Sequence, residues 1–303
     1  MSLAARAAAA VLALSACDKI DYLPPNPVEG WPTKVLMHRG GGDPGTGFPG
    51  SPCPQNTLPA VRYGASRLDG VEIDIEISAN GTLWLGHDNE LKDCTGADAG
   101  SCFNELDDAT IDELYAYCYE PGSDPSCQDP SRPGWVQHYV RLDDVFAAIS
   151  VEYPEAVYAL DIKGQYCGAA VIDRATEMAD EVGRLVGVHD LGGKVMVESS
   201  QQPFLERVVG NGTPVYSFVV ALEDIDGPLG AAAELGATGI SFKYAPTSEP
   251  LDASVIAGIH GVGHRIIVWT IDTPEDIAAV WAMQPDVIET DNADFMSHVT
   301  PPP

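Results

Sequence analysis

The sequence predicts an α/β fold, a (β/α)8 TIM barrel, and three observations favour this fold class. Apolar strand-like segments alternate with amphipathic helical segments along most of the chain, which is typical of parallel α/β proteins. About eight such strands follow one another, as in a closed barrel. The segment from residue 33 to residue 298 has the usual length of that fold, and with 45% hydrophobic residues the chain can form one large core.

The amino-terminal residues predict export and lipid attachment. Residues 1–16 combine one cation, Arg6, with an Ala/Val/Leu run too short to span a bilayer, as in an export signal. The segment Leu14-Ser15-Ala16-Cys17 resembles the lipobox of bacterial lipoproteins, which implies cleavage before Cys17 and lipidation of its thiol. Residues 17–32 are rich in proline and are typical of an extended tether. We therefore expect a lipid-anchored, extracytoplasmic protein of the bacterial cell envelope; a plain secretory cleavage site is the alternative.

The net charge limits the partners that the protein can bind. A formal charge of −29 over 303 residues repels nucleic acids and anionic membrane surfaces. We therefore expect no nucleic-acid partner, and membrane contact through the lipid anchor only. A small anionic substrate is compatible with this charge if a metal ion or a few of the 16 Lys and Arg residues concentrate positive charge locally. The composition does not identify a protein partner.

Cysteine usage predicts disulfides. Of the seven cysteines, an even number is left when Cys17 is set aside, which fits intramolecular bridges in an exported protein: Cys53, Cys94, Cys102, Cys118, Cys127 and Cys167. Short separations favour Cys94–Cys102 and Cys118–Cys127, which leaves Cys53 with Cys167, and the other pairings stay open. The absence of a Cys-x-x-Cys pair argues against a zinc or redox motif.

Cap, turn and periodicity signals give the order of the elements. Thr57 can cap the first helix, Pro59 fits its first turn, and Asn80-Gly81 is typical of a tight hairpin turn. The predicted strands are 34–37, 70–77, 82–85, 157–162, 194–197, 215–219, 239–242, 265–270 and 287–290. The predicted helices are 57–68, 142–151, 169–186, 203–209, 229–235, 253–259 and 274–283.

Residues 93–138 interrupt this alternation and predict an insertion after the second strand. The segment holds four of the cysteines, many Asp, Gly and Pro residues, and one helical stretch at about 111–119. We expect a disulfide-stapled insertion beside the active site. Residues 299–303 form a short tail.

The second strand carries an unusual acidic face. Apolar and acidic residues alternate strictly along Gly70–Ile77, so Glu72, Asp74 and Glu76 share one face of the strand. Two carboxylates about 5 Å apart repel by roughly 3 kcal/mol at an effective dielectric constant of 20. A solvated edge strand tolerates that repulsion, whereas a strand inside a barrel needs a metal ion or a lysine to offset it.

Polar residues also follow the other predicted barrel strands, at the end where this fold places its chemistry. The residues at these positions are His38-Arg39, Glu72 and Asp74, His87-Asp88, Asp161 and Lys163, Trp269-Thr270, and Thr290-Asp291. Glu198 and Lys243 lie on barrel strands as well, where they either face the site or form a structural pair. His260 and His264 flank glycines and are typical of a surface turn.

An ordered set of motifs resembles a known family. The motifs are His38-Arg39-Gly40, Asn56-Thr57, Glu72-Ile73-Asp74, His87-Asp88, Asp161-Ile162-Lys163 and Trp269-Thr270. In this order they resemble the glycerophosphodiester phosphodiesterase family over essentially the whole barrel. The resemblance implies a TIM barrel that hydrolyses small glycerophosphodiesters to glycerol 3-phosphate and an alcohol, with one divalent cation, Ca²⁺ or Mg²⁺.

The chemistry of an anionic phosphodiester explains why charged residues are needed. A hard cation prefers carboxylate oxygens, so Glu72, Asp74 and Asp161 are the candidate metal ligands. Arg39 is expected to bind phosphate oxygens, and Lys163 to stabilise charge that grows in the transition state.

Proton transfer requires an acid and a base. His38 and His87 are the candidate pair, without an assignment of which is which, and Asp88 is a candidate partner that orients His87. Asn56 and Trp269 are candidate substrate-binding residues.

The chain departs from the family pattern at two positions. Gln55 stands where the family usually has Glu, and the third-strand acid is Asp161 instead of the usual Glu. The alternatives are a sphingomyelinase D-like phospholipase on the same barrel, and a non-catalytic binding barrel that keeps the pocket.

Overall fold

The computed structural model describes residues 33–42, 47–88, 90–91, 101–118, 127, 136–162, 167, 171–219, 225–245 and 251–299. The strands are β1 (Lys34–Met37), β2 (Gly70–Ile77), β3 (Leu83–Leu85), β4 (Tyr115–Cys118), β5 (Val136–His138), β6 (Val157–Ile162), β7 (Val195–Ser199), β8 (Val215–Val219), β9 (Gly239–Lys243), β10 (Arg265–Trp269) and β11 (Val287–Thr290). The helices are α1 (Leu58–Arg67), α2 (Asp108–Asp112), α3 (Leu142–Glu152), α4 (Val171–Val188), α5 (Gln202–Gly210), α6 (Asp226–Leu235), α7 (Ala253–Gly261) and α8 (Pro274–Met283).

Eight parallel strands close into a barrel, as predicted. Their order is β1-β2-β6-β7-β8-β9-β10-β11, and β1 closes the ring because it pairs with both β2 and β11. β3 adds to β2 in the antiparallel sense, after the turn predicted at Asn80-Gly81. The predicted fold class is confirmed, and the predicted barrel elements are present with shifts of a few residues at their ends.

The two faces of β2 explain how the acidic residues become buried. Val71, Ile73, Ile75 and Ile77 belong to the main apolar cluster, which also contains residues of α1 and α3. The barrel interior instead contains a small cluster of Leu36, Ala159, Tyr216, Ile267 and Val287. Because Glu72 lies beside Ala159 in the β2–β6 ladder, the carboxylates of β2 point into the barrel.

Glycine permits close approach of neighbouring strands at two positions on the barrel. A Cβ atom at Gly70 would lie 1.9 Å from the carbonyl oxygen of Val157, and one at Gly239 would lie 2.0 Å from the carbonyl oxygen of Arg265. Each glycine begins its strand, β2 or β9, so the ladders with β6 and β10 start only because no side chain is present.

The insertion corrects one prediction. The predicted helix over about 111–119 is wrong beyond its first two residues, because α2 ends at Asp112 and residues 115–118 form β4, which pairs antiparallel with β5. Asp107 caps α2 by accepting a hydrogen bond from Thr110 N–H. The alternating tyrosines Tyr115 and Tyr117 suit a strand, and pairing with a segment about 20 residues away overrides the local helical pattern.

The disulfide pairing differs from the one that sequence separation favours. The bridges present are Cys53–Cys127, with Cα atoms 5.0 Å apart, and Cys102–Cys167, with Cα atoms 6.0 Å apart. Loop closure becomes only slowly more costly with length, so short separation is a weak guide to pairing. Both bridges connect the insertion to loops of the barrel. The predicted insertion is therefore confirmed, but its predicted cross-links are wrong.

Several predictions fall on residues that the structure does not describe. The signal segment, Cys17, the tether, Cys94 and Lys163 lie outside the described residues, as does the side chain of Cys118. Among the described helices, none has both the length and the apolar character needed to cross a membrane.

Candidate active site

Three buried carboxylates meet at the carboxyl end of the barrel. Asp74 on β2 lies directly beside Asp161 on β6, and Glu72 is two residues earlier on the same face of β2. Glu72 and Asp74 are 1% exposed and Asp161 is 8% exposed, and each contributes one oxygen to a group whose members lie within 4.8 Å of one another. Two oxygens bound to one Ca²⁺ at about 2.4 Å are at most about 4.8 Å apart. The triad therefore has the spacing and donor chemistry of a divalent-cation site.

A network from the β1–α1 loop fixes two of these carboxylates. Asn56 holds Asp74 at two points: its Nδ2 donates to Asp74 Oδ2 (2.8 Å), and its Oδ1 accepts from Asp74 N–H (3.1 Å). The backbone N–H of Arg39 donates to Glu72 Oε2 (2.7 Å). Arg39 and Asn56 adopt left-handed backbone conformations, with φ of 52° and 55°, and such strain is typical of functional sites.

The guanidinium of Arg39 lies over the same carboxylates. Its Nε is 3.5 Å from Asp74 Oδ2, and its Nη1 donates to Gln55 Oε1 (3.0 Å). Gln55, at the position where the family usually has Glu, thus orients this arginine through a neutral acceptor.

His38 lies between two carboxylates from different strands. Its Nδ1 is 2.8 Å from Asp291 Oδ1, and its Nε2 is 3.9 Å from Glu72 Oε2. A hydrogen bond from Nδ1–H to Asp291 fixes the ring and leaves Nε2 directed toward the acidic triad. Asp291 follows β11, and sequence analysis places it at this rim without assigning it a role.

Asp272 supports the position of Asp291. Its Oδ1 accepts a hydrogen bond from Asp291 N–H (2.7 Å) and one from Thr290 Oγ1 (3.3 Å). Burial, together with the nearby charge of Asp291, raises the pKa of Asp272 to about 6 although the hydrogen bond from Asp291 N–H lowers it. Sequence reasoning missed this residue because its partner is the backbone of a distant strand end.

The second histidine lies across the site and is more exposed. His87 Nδ1 is 2.8 Å from Asp88 Oδ1, with side chains 34% and 43% exposed. The preceding residue, Gly86, donates its N–H to the carbonyl oxygen of Asp74 (3.0 Å), so the backbone ties this loop to the acidic strand. The structure therefore brings the predicted His87–Asp88 pair to the same rim as the triad.

Trp269 forms a wall on the opposite side of the barrel. Its indole Nε1 donates to Ser241 Oγ (2.8 Å), and Ser241 in turn donates to Glu198. The ring also lies 5.6 Å below the ammonium of Lys243. Glu198 thus faces the barrel interior, and Lys243 packs on the wall, so both positions considered from the sequence lie near the site.

A further carboxyl, Glu289, lies in the barrel below the triad. It is 2% exposed, and burial together with the charges of Glu198 and Glu72 raises its pKa well above the usual range. The spacing by two residues of Val287, Glu289 and Asp291, along β11 and just after it, is the sequence signal that Glu289 faces the barrel interior. That signal was missed because a strand of four residues is too short to show a periodic pattern.

A closed parallel barrel with buried carboxylates, an arginine and histidines at the carboxyl ends of its strands has the groups that a phosphoric diester hydrolase needs. The family comparison gives the same class in more detail. The chain belongs to the glycerophosphoryl diester phosphodiesterase family, whose model matches residues 38–295.

Solved structures with the same fold are similar to the chain at low sequence identity. A protein from Silicibacter pomeroyi assigned to the glycerophosphoryl diester phosphodiesterases has 20% identity and a TM-score of 0.68, over 87% of this chain and 91% of that one. A glycerophosphodiester phosphodiesterase from Parabacteroides distasonis has 17% identity and a TM-score of 0.64, over 88% and 95%. An Oleispira antarctica phosphodiesterase in complex with the product sn-glycerol-3-phosphate has 17% identity and a TM-score of 0.66, over 88% and 96%. A search of curated proteins finds no matching sequence.

Proposed function

We propose that the protein hydrolyses glycerophosphodiesters to glycerol 3-phosphate and an alcohol, with one divalent cation and two histidines. The observation that carries this proposal is the buried triad of Glu72, Asp74 and Asp161, with His38 beside Glu72 and the His87–Asp88 pair at the same rim, in a chain of this family. The product bound to the Oleispira antarctica relative supports the same reaction.

The triad would hold Ca²⁺ or Mg²⁺. The donor set is three carboxylates and no softer ligand, as both ions prefer. When bound, such a cation neutralises phosphoryl oxygens and polarises phosphorus. The side chain of Asp161 is one methylene shorter than the usual Glu, yet it reaches the group, because direct pairing with Asp74 across adjacent strands brings the two residues together.

His38 and His87 divide the proton transfers. One imidazole accepts the proton of the attacking hydroxyl, which is either the glycerol C2 hydroxyl or water, and the other donates a proton to the departing alkoxide oxygen. Asp291 and Asp88 each accept a hydrogen bond from Nδ1, so both rings present Nε2 as the reactive nitrogen.

The remaining predicted residues bind the substrate or position other side chains of the site. Arg39 can form charge-assisted hydrogen bonds to phosphate oxygens, and Trp269 is a flat wall for the glycerol or head group. Both polar atoms of the Asn56 side-chain amide contact Asp74, which favours a positioning role over direct substrate binding. Lys163, assigned to transition-state charge, stays a prediction.

We propose that the mature protein is attached to the bacterial cell envelope through lipidated Cys17. The lipobox-like Leu14-Ser15-Ala16-Cys17 supports this location, and so do the bridges Cys53–Cys127 and Cys102–Cys167, because disulfides persist outside the cytoplasm. Mass spectrometry of the mature amino terminus checks it. Lipid on Cys17 is expected, and a Cys17→Ala variant should be released from membranes.

The test of function is release of glycerol 3-phosphate from glycerophosphocholine and glycerophosphoethanolamine. Each assay runs with EDTA, then with Ca²⁺ or Mg²⁺ restored, for wild type and for His38→Ala. We expect EDTA and His38→Ala each to abolish release, and one of the cations to restore the wild-type rate.

Two other results would reject the proposal. Cleavage of sphingomyelin or lysophospholipid with no release from either glycerophosphodiester would identify a phospholipase of the sphingomyelinase D type. A folded, cation-binding protein without turnover of any of these substrates would identify a non-catalytic binding barrel.

A further inference from the structure

A cavity of about 280 Å³ lies beside His87, between the barrel rim and the insertion. The barrel side is formed by Gln55, Asn56 and the segment from Leu85 to Asp88. The insertion supplies most of the remaining wall. The cavity therefore exists only because the insertion covers this part of the rim.

The wall contributed by the insertion and by the residue that follows it is aromatic. Phe103, Tyr117 and Tyr139 line the cavity, and the rings of Phe103 and Tyr139 pack edge to face with centroids 5.1 Å apart. Phe103 is 1% exposed, and the adjacent Cys102–Cys167 bridge attaches it to the barrel. The rings of Phe103 and Tyr139 are thus held in place before any ligand arrives, which lowers the entropy lost on binding.

The charge of the lining is negative. Asp88 and Glu90 contribute carboxylates, and no lysine or arginine is among the described residues that line the cavity. A ligand group with a negative charge would be repelled here. A cation would meet aromatic faces and carboxylates together, the combination that binds alkylammonium groups.

The cavity adjoins the reaction centre directly. Asn56 lines it and donates to Asp74 of the acidic triad (2.8 Å), and His87 lines it as well. A phosphate group at the triad would therefore have this cavity next to one of its two ester substituents.

On the basis of the proposed function, we propose that the cavity binds the head group of the substrate and selects a cationic alkylammonium, with trimethylammonium preferred over a primary amine. Three methyl groups fill an aromatic-walled space and need no hydrogen-bond acceptor, whereas a primary ammonium retains more of its hydration. Glycerophosphocholine is then the best substrate, glycerophosphoethanolamine is intermediate, and glycerophosphoglycerol, with a neutral head group, is the poorest.

The test combines kinetics with direct binding on the full-length protein. The ratio of kcat/KM for glycerophosphocholine to that for glycerophosphoglycerol is measured in wild type, Tyr117→Leu and Glu90→Gln. Tyr115→Leu is the matched aromatic control, because Tyr115 is on the same strand but does not line the cavity. Glu113→Gln is the matched charge control, because Glu113 is an exposed acid like Glu90 but does not line the cavity. Calorimetric titration with choline alone measures the affinity of the protein for the cation in the absence of turnover.

We expect the ratio to fall about tenfold in Tyr117→Leu and a fewfold in Glu90→Gln, the scale of losing a desolvated cation–π contact or a partly exposed charge contact. The ratio in both controls should stay within about twofold of wild type. Choline binding should weaken in the same two variants.

The outcomes separate this inference from the proposed function. Equal kcat/KM for charged and neutral head groups, with no choline binding, would overturn the inference and leave diester hydrolysis intact. Choline binding that Tyr117→Leu weakens, in a protein that turns over no diester, would support the cation cavity and reject the proposed function.

Discussion

The barrel and the insertion form two walls of one site, and they are held by different means. The barrel positions Glu72, Asp74 and Asp161 through continuous parallel ladders, so strand spacing sets the distances between the carboxylates. In the described part of the insertion, the secondary structure is limited to a short helix, a two-stranded hairpin and a brief helical turn. Its position depends on a small cluster around Trp84 and Phe103 and on two disulfides to the barrel.

This difference suggests that the barrel and the insertion have separate functions. Chemistry that depends on fixed distances lies on the barrel ladders, which closure of the ring makes hard to deform. The residues that we assign to head-group selection lie on a covalently fastened attachment. Four changes test the contrast, from the largest expected effect to the smallest.

Preventing strand pairing in the barrel should prevent folding of the whole protein. Gly70→Ala places a Cβ atom 1.9 Å from the carbonyl oxygen of Val157, so β2 and β6 cannot pair as they do, and we expect no cooperatively folded protein. Gly258→Ala is the control, because no other atom lies within 4 Å of the added Cβ and the exposed α7 should gain up to about 1 kcal/mol. Thermal unfolding measures both. A Gly70→Ala protein with wild-type stability would show that ring closure tolerates this clash.

Altering the triad should stop the chemistry while leaving the fold intact. Glu72→Gln removes a charged cation ligand, and we expect activity to fall on the order of a thousandfold because charge on the phosphoryl group is no longer offset. Glu76→Gln is the matched control on the same face of β2, outside the group of three. Calorimetric titration with Ca²⁺ or Mg²⁺ should show weakened binding in Glu72→Gln only. Equal cation affinity in the two variants would contradict the assigned ligand set.

Releasing the insertion should affect selectivity more than chemistry. The double variant Cys53→Ser/Cys127→Ser opens a loop with a sequence separation of 74, which predicts a loss of about 4 kcal/mol in the free energy of unfolding. We expect the preference for a cationic head group to diminish, while hydrolysis of glycerophosphoglycerol persists. Denaturant unfolding and the two kcat/KM values check this. A loss of activity toward both substrates in parallel would show that the insertion also supports the triad.

The smallest effect concerns the pH dependence of stability near His38. Burial raises the pKa of Asp272 to about 6, whereas an unfolded chain has the ordinary value of about 3.9. Between these values the unfolded state loses its proton first, so this residue lowers stability as pH rises from about 4 to about 6. Asp272→Asn cannot ionise. The Tm of Asp272→Asn minus the Tm of wild type should therefore increase as pH rises from about 4 to about 6. A constant Tm difference from pH 4 to pH 7 would contradict the shifted pKa.

Much of the site could be predicted because local patterns encode it. Strict alternation along Gly70–Ile77 places Glu72 and Asp74 on one face whatever surrounds the strand. Polar residues directly after predicted strands, such as His38 and Asp161, are brought to one rim by the parallel topology itself. The structure confirms both placements, although the assigned roles stay predictions.

Other features depend on which segments meet, and a linear pattern does not contain that information. The pairing of Cys53 with Cys127 joins segments 74 residues apart, and the favoured short-range pairings were wrong. Residues 115–118 became a strand only because β5 lies beside them. The support of His38 by Asp291, and of Asp291 by Asp272, likewise links strand ends that meet only when the ring closes.

The sequence by itself therefore determined the fold class, the acidic face of β2 and the residues at the catalytic rim, because strand periodicity and strand-end position are local properties. Only the tertiary structure decided the disulfide pairing, the partners of His38, the raised pKa of Glu289 and the aromatic cavity beside His87. Each of these depends on distances between parts of the chain far apart in sequence, and such distances are fixed when the barrel closes and the insertion is fastened to it.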